Sequence, residues 1–155
     1  MTLPLSTEIA TYLQNSSLGL TMGSNLFVGQ LPDTPDECVA VGERPGQAPV
    51  MWLTGGVAPT GATGVTGPAS PVNESKLDRP TVQVRVRCPT YVTGNTLTQG
   101  IFGKLQGVTE TTITSGGQLF HLIAALGSPA YIGVDVQQRH EWSQNYSVWF
   151  ENGLR

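Results

Sequence analysis

Between Pro80 and Cys88 the sequence alternates without interruption: Val82, Val84, Val86 and Cys88 are apolar or small, while Gln83, Arg85 and Arg87 between them are polar. Side chains of a β-strand leave the backbone on opposite faces with a period of two, so this segment is a strand with one face on a core and the other on something polar. Such a strand requires neighbours on both sides and an apolar layer over its valine face.

The rest of the chain supplies both. Leu5, Ile9, Tyr12 and Leu13 fall at helical spacing and predict a short helix, with Ser6 as N-cap, Glu8 in the first turn beside the helix dipole, and Asn15 to Gly19 as its stop. A second helix is predicted by Leu97, Ile101 and Leu105 and closed by Gly107, with Gly100 and Gly103 placed to let another backbone approach. Strands are read at 25–31, 37–42, 50–53, 80–88, 108–114, 118–126, 131–136 and 139–150, with turns at 32–36, 115–117, 127–129 and 137–138. The expected fold class is α+β: a mixed or mainly antiparallel sheet flanked by two helices, in a single domain spanning 1–155, as suits a chain of 155 residues.

One segment breaks the pattern. Residues 54–77 carry Gly55, Gly56, Gly61, Gly64 and Gly67 with prolines and threonines and no aromatic side chain. That composition has too little apolar surface to offset chain ordering, so a long flexible loop is expected. Its Gly61-Ala62-Thr63 and Gly64-Val65-Thr66 triplets are too few for a collagen repeat.

Charge narrows the function. Only 12% of the residues are charged and the net charge is −3. A bulk nucleic-acid binder would be basic with clustered Lys and Arg. So low a charge fraction suits a surface that is buried in an assembly. No apolar run is long enough to span a bilayer, and residues 1–20 lack the charged and apolar regions of a signal peptide.

Catalytic and metal motifs are missing from the sequence, and no cofactor is expected. Cys38 and Cys88 read as buried small hydrophobes. Pairing of Cys38 with His121, or of Cys88 with His140, as nucleophile and base would require proximity in the fold. His121 reads as solvent-facing or locally hydrogen-bonded. Asp33, Asp36 and Glu37 form either a solvated turn or a weak site for a hard cation. For Arg85 and Arg87, with Gln83 on the same face, three readings stand: a solvated face, a subunit interface, or the wall of a channel that passes DNA.

The segments Glu8–Leu13, Leu18–Val28, Leu31–Ala40, Arg79–Arg87, Leu126–Gly133 and Arg139–Trp149, in that order and spacing, resemble the phage minor capsid proteins grouped with the tail terminators of long-tailed phages. The resemblance implies a sheet flanked by helices and a non-enzymatic virion protein. It implies a homohexameric ring that caps the tail tube, joins it to the head connector or stopper protein, and lets viral DNA pass without sequence-specific binding. Residues 54–77 stand out as an insertion relative to the family, with Gly55, Gly61, Gly64 and Gly67 as its candidate partner-docking positions. The alternatives are a head-completion or adaptor protein of the same junction, or a small hydrolase or ligand-binding module using His121 or His140.

Overall fold

The computed structural model describes residues 3–53, 74–113 and 117–152. In chain order the elements are α1 (Leu5–Gln14), β1 (Leu26–Val28), β2 (Cys38–Leu53), β3 (Glu74–Cys88), α2 (Tyr91–Leu105), β4 (Val108–Thr112), β5 (Leu119–Ala125), β6 (Ala130–Val134) and β7 (His140–Asn152). The seven strands make one sheet in the order β1-β2-β3-β7-β5-β4, with β6 also paired to β7. Among the described strands, β1 and β2 alone pair in parallel. The architecture is the expected α+β one.

Register explains how β5 and β6 share a neighbour. Ala125 stands opposite Tyr146 of β7, and Ala130 stands opposite Ser143. The two strands therefore follow one line along β7, interrupted by the bend at 126–128, where the Gln144 Nε2 donates to the Gly127 carbonyl at 2.8 Å. β4 pairs with β5 alone and stops short of β6.

Both helices cover one face of the sheet, α1 over β1 and β2 and α2 over the valine face of β3 and over β7 and β5. Leu5, Ile9, Ala10 and Leu13 of α1 and Ile101 and Leu105 of α2 are buried against Val39, Val41, Val82, Val84, Val86, Trp142, Tyr146 and Val148. Burying each large aliphatic side chain contributes roughly 1.5–3 kcal/mol, and this layer holds the helices in place.

Several expectations are corrected. Ser6 is not the N-cap of α1: Pro4 occupies that position without a side-chain cap. Ser6 lies inside the first turn, and its backbone N–H and hydroxyl both donate to Glu43 Oε1 of β2 at 3.1 Å. A carboxylate from the sheet thus meets the positive end of the helix. Glu8 is fully buried, with an oxygen 3.5 Å from the Gln118 amide, whereas the sequence suggested only an interaction with the dipole.

The strands expected at 37–42 and 50–53 are one strand, β2, because register shifts between Arg44 and Gln47 and between Gln47 and Val50 absorb the Arg44-Pro45-Gly46 sequence without ending the pairing. The expected loop at 54–77 is shorter at its C-terminal end, since Leu53 pairs with Glu74 and β3 begins there. The rest of that loop lies outside the described residues.

The second helix begins at Tyr91, with the Thr90 hydroxyl accepting from the Thr93 amide at 3.3 Å. Its buried stripe is Gly94, Thr98, Ile101 and Leu105, with Leu97 only partly buried. Neither Gly100 nor Gly103 meets another backbone: a Cβ on Gly100 would touch the Leu18 side chain, and Gly103 faces open space.

Candidate assembly surface

The polar face of the sheet lies opposite the helices and is built from alternate residues of β2, β3 and β7. Register places Gln83 across from Asn145, Arg85 across from Ser143 and Arg87 across from Glu141. The side chains then pair diagonally. Arg85 Nη2 donates to Glu141 Oε2 at 2.9 Å, and its side chain is 38% exposed. Gln83 Oε1 accepts from Arg44 Nε at 3.0 Å and Nη2 at 2.6 Å, while its Nε2 donates to Ser143 Oγ at 2.9 Å. The result is a polar belt in which Arg85 is paired with a carboxylate and Arg44 with a neutral amide. An open cleft of about 420 Å³, lined in part by Gly29, Gln30, Arg44, Gln83 and Arg85, runs along it.

Arg87 does not belong to this accessible belt, which corrects its placement as an interface or channel residue. It is 3% exposed. Its Nη2 donates to the carbonyl of Pro32 and, at 2.9 Å, to that of Pro35. The segment 29–37 crosses this end of the sheet, and Arg87 fastens it from below.

Arg139, which the sequence did not single out, fastens the same segment from the side. Its Nη1 donates to the Asp33 carbonyl at 2.6 Å and to Asp36 Oδ1 at 3.2 Å, and its Nε donates to Asp135 Oδ2 at 2.7 Å. Desolvation acts to raise the Asp135 pKa, but hydrogen bonds from the Arg139 amide, the Arg139 side chain and the Gln137 amide outweigh it and hold the carboxyl below its ordinary value. Asp135 four residues ahead of Arg139 was the available signal, but with helical patterning missing there, nothing in the sequence tied the pair to the distant Asp33–Asp36 turn. That turn is occupied by a guanidinium. Among the described residues no group of three His, Cys, Asp or Glu side chains is placed to hold a metal ion.

Of the two nucleophile and base pairings, the fold brings together Cys88 and His140, but not in a reactive state. Cys88 stands opposite His140 in register, yet His140 Nδ1 is engaged by the Tyr131 hydroxyl at 2.8 Å. Burial is the main cause pushing the Cys88 thiol up to about 12, and burial also raises that of Cys38. A thiol so held is protonated at neutral pH and is a poor nucleophile. His121 is hydrogen-bonded through Nδ1 to Glu110 Oε1 at 3.0 Å, the local bond the sequence allowed.

No family model and no curated protein matches the chain. Among solved structures, a chain in the virion of the native gene transfer agent particle matches it with a TM-score of 0.54, over 96% of this chain and 95% of that chain, at 10% sequence identity. The two proteins share a fold. The likeness extends through nearly the whole of both chains.

A second surface lies at the β6 end of the sheet. Tyr91 at the start of α2 packs on Tyr131 with ring centroids 5.1 Å apart, and both rings contact Trp142 and His140. Sequence reading missed this cluster because its members come from three elements. Gly55, Gly61, Gly64 and Gly67 lie outside the described residues. Among the described residues no helix is long and apolar enough to cross a membrane.

Proposed function

We propose that this chain is a structural virion protein that forms a homo-oligomeric ring, most simply of six copies, at the head-tail junction of a long-tailed phage or phage-like particle. The ring caps the tail tube and joins it to the head connector or stopper protein. The carrying observation is the shared fold with a chain of a virion particle across 96% of the present chain. The ordered segments from Glu8 to Trp149 that resemble tail terminators supply the position within the particle.

In this reading no bond is made or broken. Ring closure needs heterologous contacts, which limit assembly to a fixed number of copies where a tube protein adds indefinitely. Gln83 and Arg85 are the members of the polar face that remain available to a neighbouring protein or to passing DNA. The neutral Gln83 amide and the Arg85 charge paired with Glu141 suit contact without a firm grip on phosphate, since strong binding would need unpaired Lys and Arg. The glycine-rich segment, including Gly55, Gly61, Gly64 and Gly67, is the proposed docking loop for the connector or tube.

The test is to add the purified chain to polymerising tail-tube protein from the same particle. The reading requires tubes of limited length with the chain at one end. Tubes that elongate freely with bare ends, while the chain binds the connector alone, would move the assignment to a head-completion adaptor.

A further inference from the structure

We infer that the outer edge of β6, together with the exposed side of α2, is the contact by which one copy of this chain binds the next in the ring, an inference that rests on the ring reading above.

Three strand edges that no other strand covers among the described residues, those of β1, β4 and β6, are treated differently. The outer side of β1 is closed by its own preceding turn: the Leu26 amide donates to the Thr21 carbonyl and the Leu26 carbonyl accepts from the Gly23 amide. β4 is polar, Val-Thr-Glu-Thr-Thr, and is kinked by Glu110 at a φ of 44°. Charge and irregular backbone are devices that keep an edge from pairing with another chain. β6 lacks the first of these: its sequence is Ala-Tyr-Ile-Gly-Val, without charge, its one irregularity is a bulge at Ile132, and among the described residues it pairs with β7 alone.

A bulge in β6 concentrates its apolar groups. Tyr131 stands opposite Trp142 and Val134 opposite His140, although two residues lie between Tyr131 and Val134 and only one between their partners. The extra residue brings both side chains to the Tyr91 side of the sheet and leaves Ile132 exposed on the bulge. Tyr91, Val92, Tyr131, Ile132 and Val134 are between 44% and 73% exposed. Together they present on the order of 500 Å² of side-chain surface, within the range of the largest patch on a monomer.

Charge, or its absence, selects the occupant. Residues 89–103 and 122–134, which form α2 up to Gly103 and the whole of β6, contain no Asp, Glu, Lys or Arg. The exposed side of α2 is Val92, Asn95, Thr96, Gln99 and Gly103, all cheap to desolvate. Adding that side brings the surface to about the 800 Å² that each partner contributes to a stable interface. A surface without charge offers nothing to a phosphate backbone or to a strongly charged protein. A second copy of a chain that is itself only 12% charged is the partner it fits.

The experiment compares the full-length chain with Val92→Glu and Ile132→Glu, singly and together, by native mass spectrometry and sedimentation. Thr112→Glu on exposed β4 serves as the control for added charge. Val92 lies in the first turn of α2, where a carboxylate is favourable in the free monomer, so this variant retains its fold. Wild type and Thr112→Glu are expected as the same closed oligomer. Each single interface variant should weaken association by at least roughly tenfold, and the double variant should be monomeric, because a carboxylate would be buried unpaired. An unchanged oligomer in the double variant overturns this surface and leaves the ring reading standing. Wild-type protein that remains monomeric at every concentration also overturns the inference, and the ring reading is then decided in the particle.

Discussion

Gly94 lies directly against the ring of Trp142, so closely that a Cβ at position 94 would overlap the indole. This contact sets how near the first turns of α2 come to β7, and it lies beneath the Tyr91 and Tyr131 rings. Replacing Gly94 with Ala should destabilise the chain by about 1–3 kcal/mol, the usual cost of overfilling a packed core. Gly103→Ala in the same helix meets nothing within 4 Å and should stabilise by up to ~1 kcal/mol. Urea unfolding of the two variants checks the pair. Equal effects would mean that α2 does not sit on Trp142.

Arg87 and Arg85 are two residues apart on one strand face and should respond unequally to substitution. Arg87→Met leaves the Pro32 and Pro35 carbonyls without their donor and should cost roughly 1.5–3 kcal/mol, as expected for hydrogen bonds to a charged group. Arg85→Gln removes a half-exposed ion pair with Glu141 and should cost no more than about 1 kcal/mol. Chemical denaturation distinguishes them, and similar losses would contradict the burial of Arg87.

That pair also marks how far the sequence could be read. Period-two alternation correctly assigned Val82, Val84 and Val86 to the core and Arg87 to the opposite face, because face is a local property of the strand. Whether that face is open depends on what crosses it, and the Pro32–Asp36 segment that covers Arg87 is more than fifty residues away in sequence. The same limit applied to β2, where Arg44-Pro45-Gly46 carries every local sign of a break but pairing with β3 continues through two register shifts. It applied to the aromatic cluster as well, since Tyr91, Tyr131 and Trp142 meet only after β6 docks on β7. By contrast α1, β5, β6 and β7 were legible within a few residues of their ends, because their apolar periodicity and flanking turn residues agree.

The Cys88 thiol should stay silent in the folded chain. It ionises near 9.0 when unfolded and only near about 12 in the fold. The unfolded state therefore loses its proton first, so the contribution of Cys88 to stability is complete below pH 9.0 and declines as the pH rises towards about 12. Unfolding free energies of wild type and Cys88→Ala should converge over that window and differ by a constant amount below it. Iodoacetamide at pH 8 should label Cys88 only after denaturant is added; rapid labelling of the native chain would contradict its enclosure.

The central claim, a ring at the head-tail junction, is tested most directly by a cryo-electron microscopy reconstruction of the assembled particle. The account predicts one closed ring of this chain, most simply six copies, seated between the last tail-tube ring and the head connector, with β6 and α2 of each copy against its neighbour. Isolated copies at that position, or a location elsewhere on the head or tail, would contradict it.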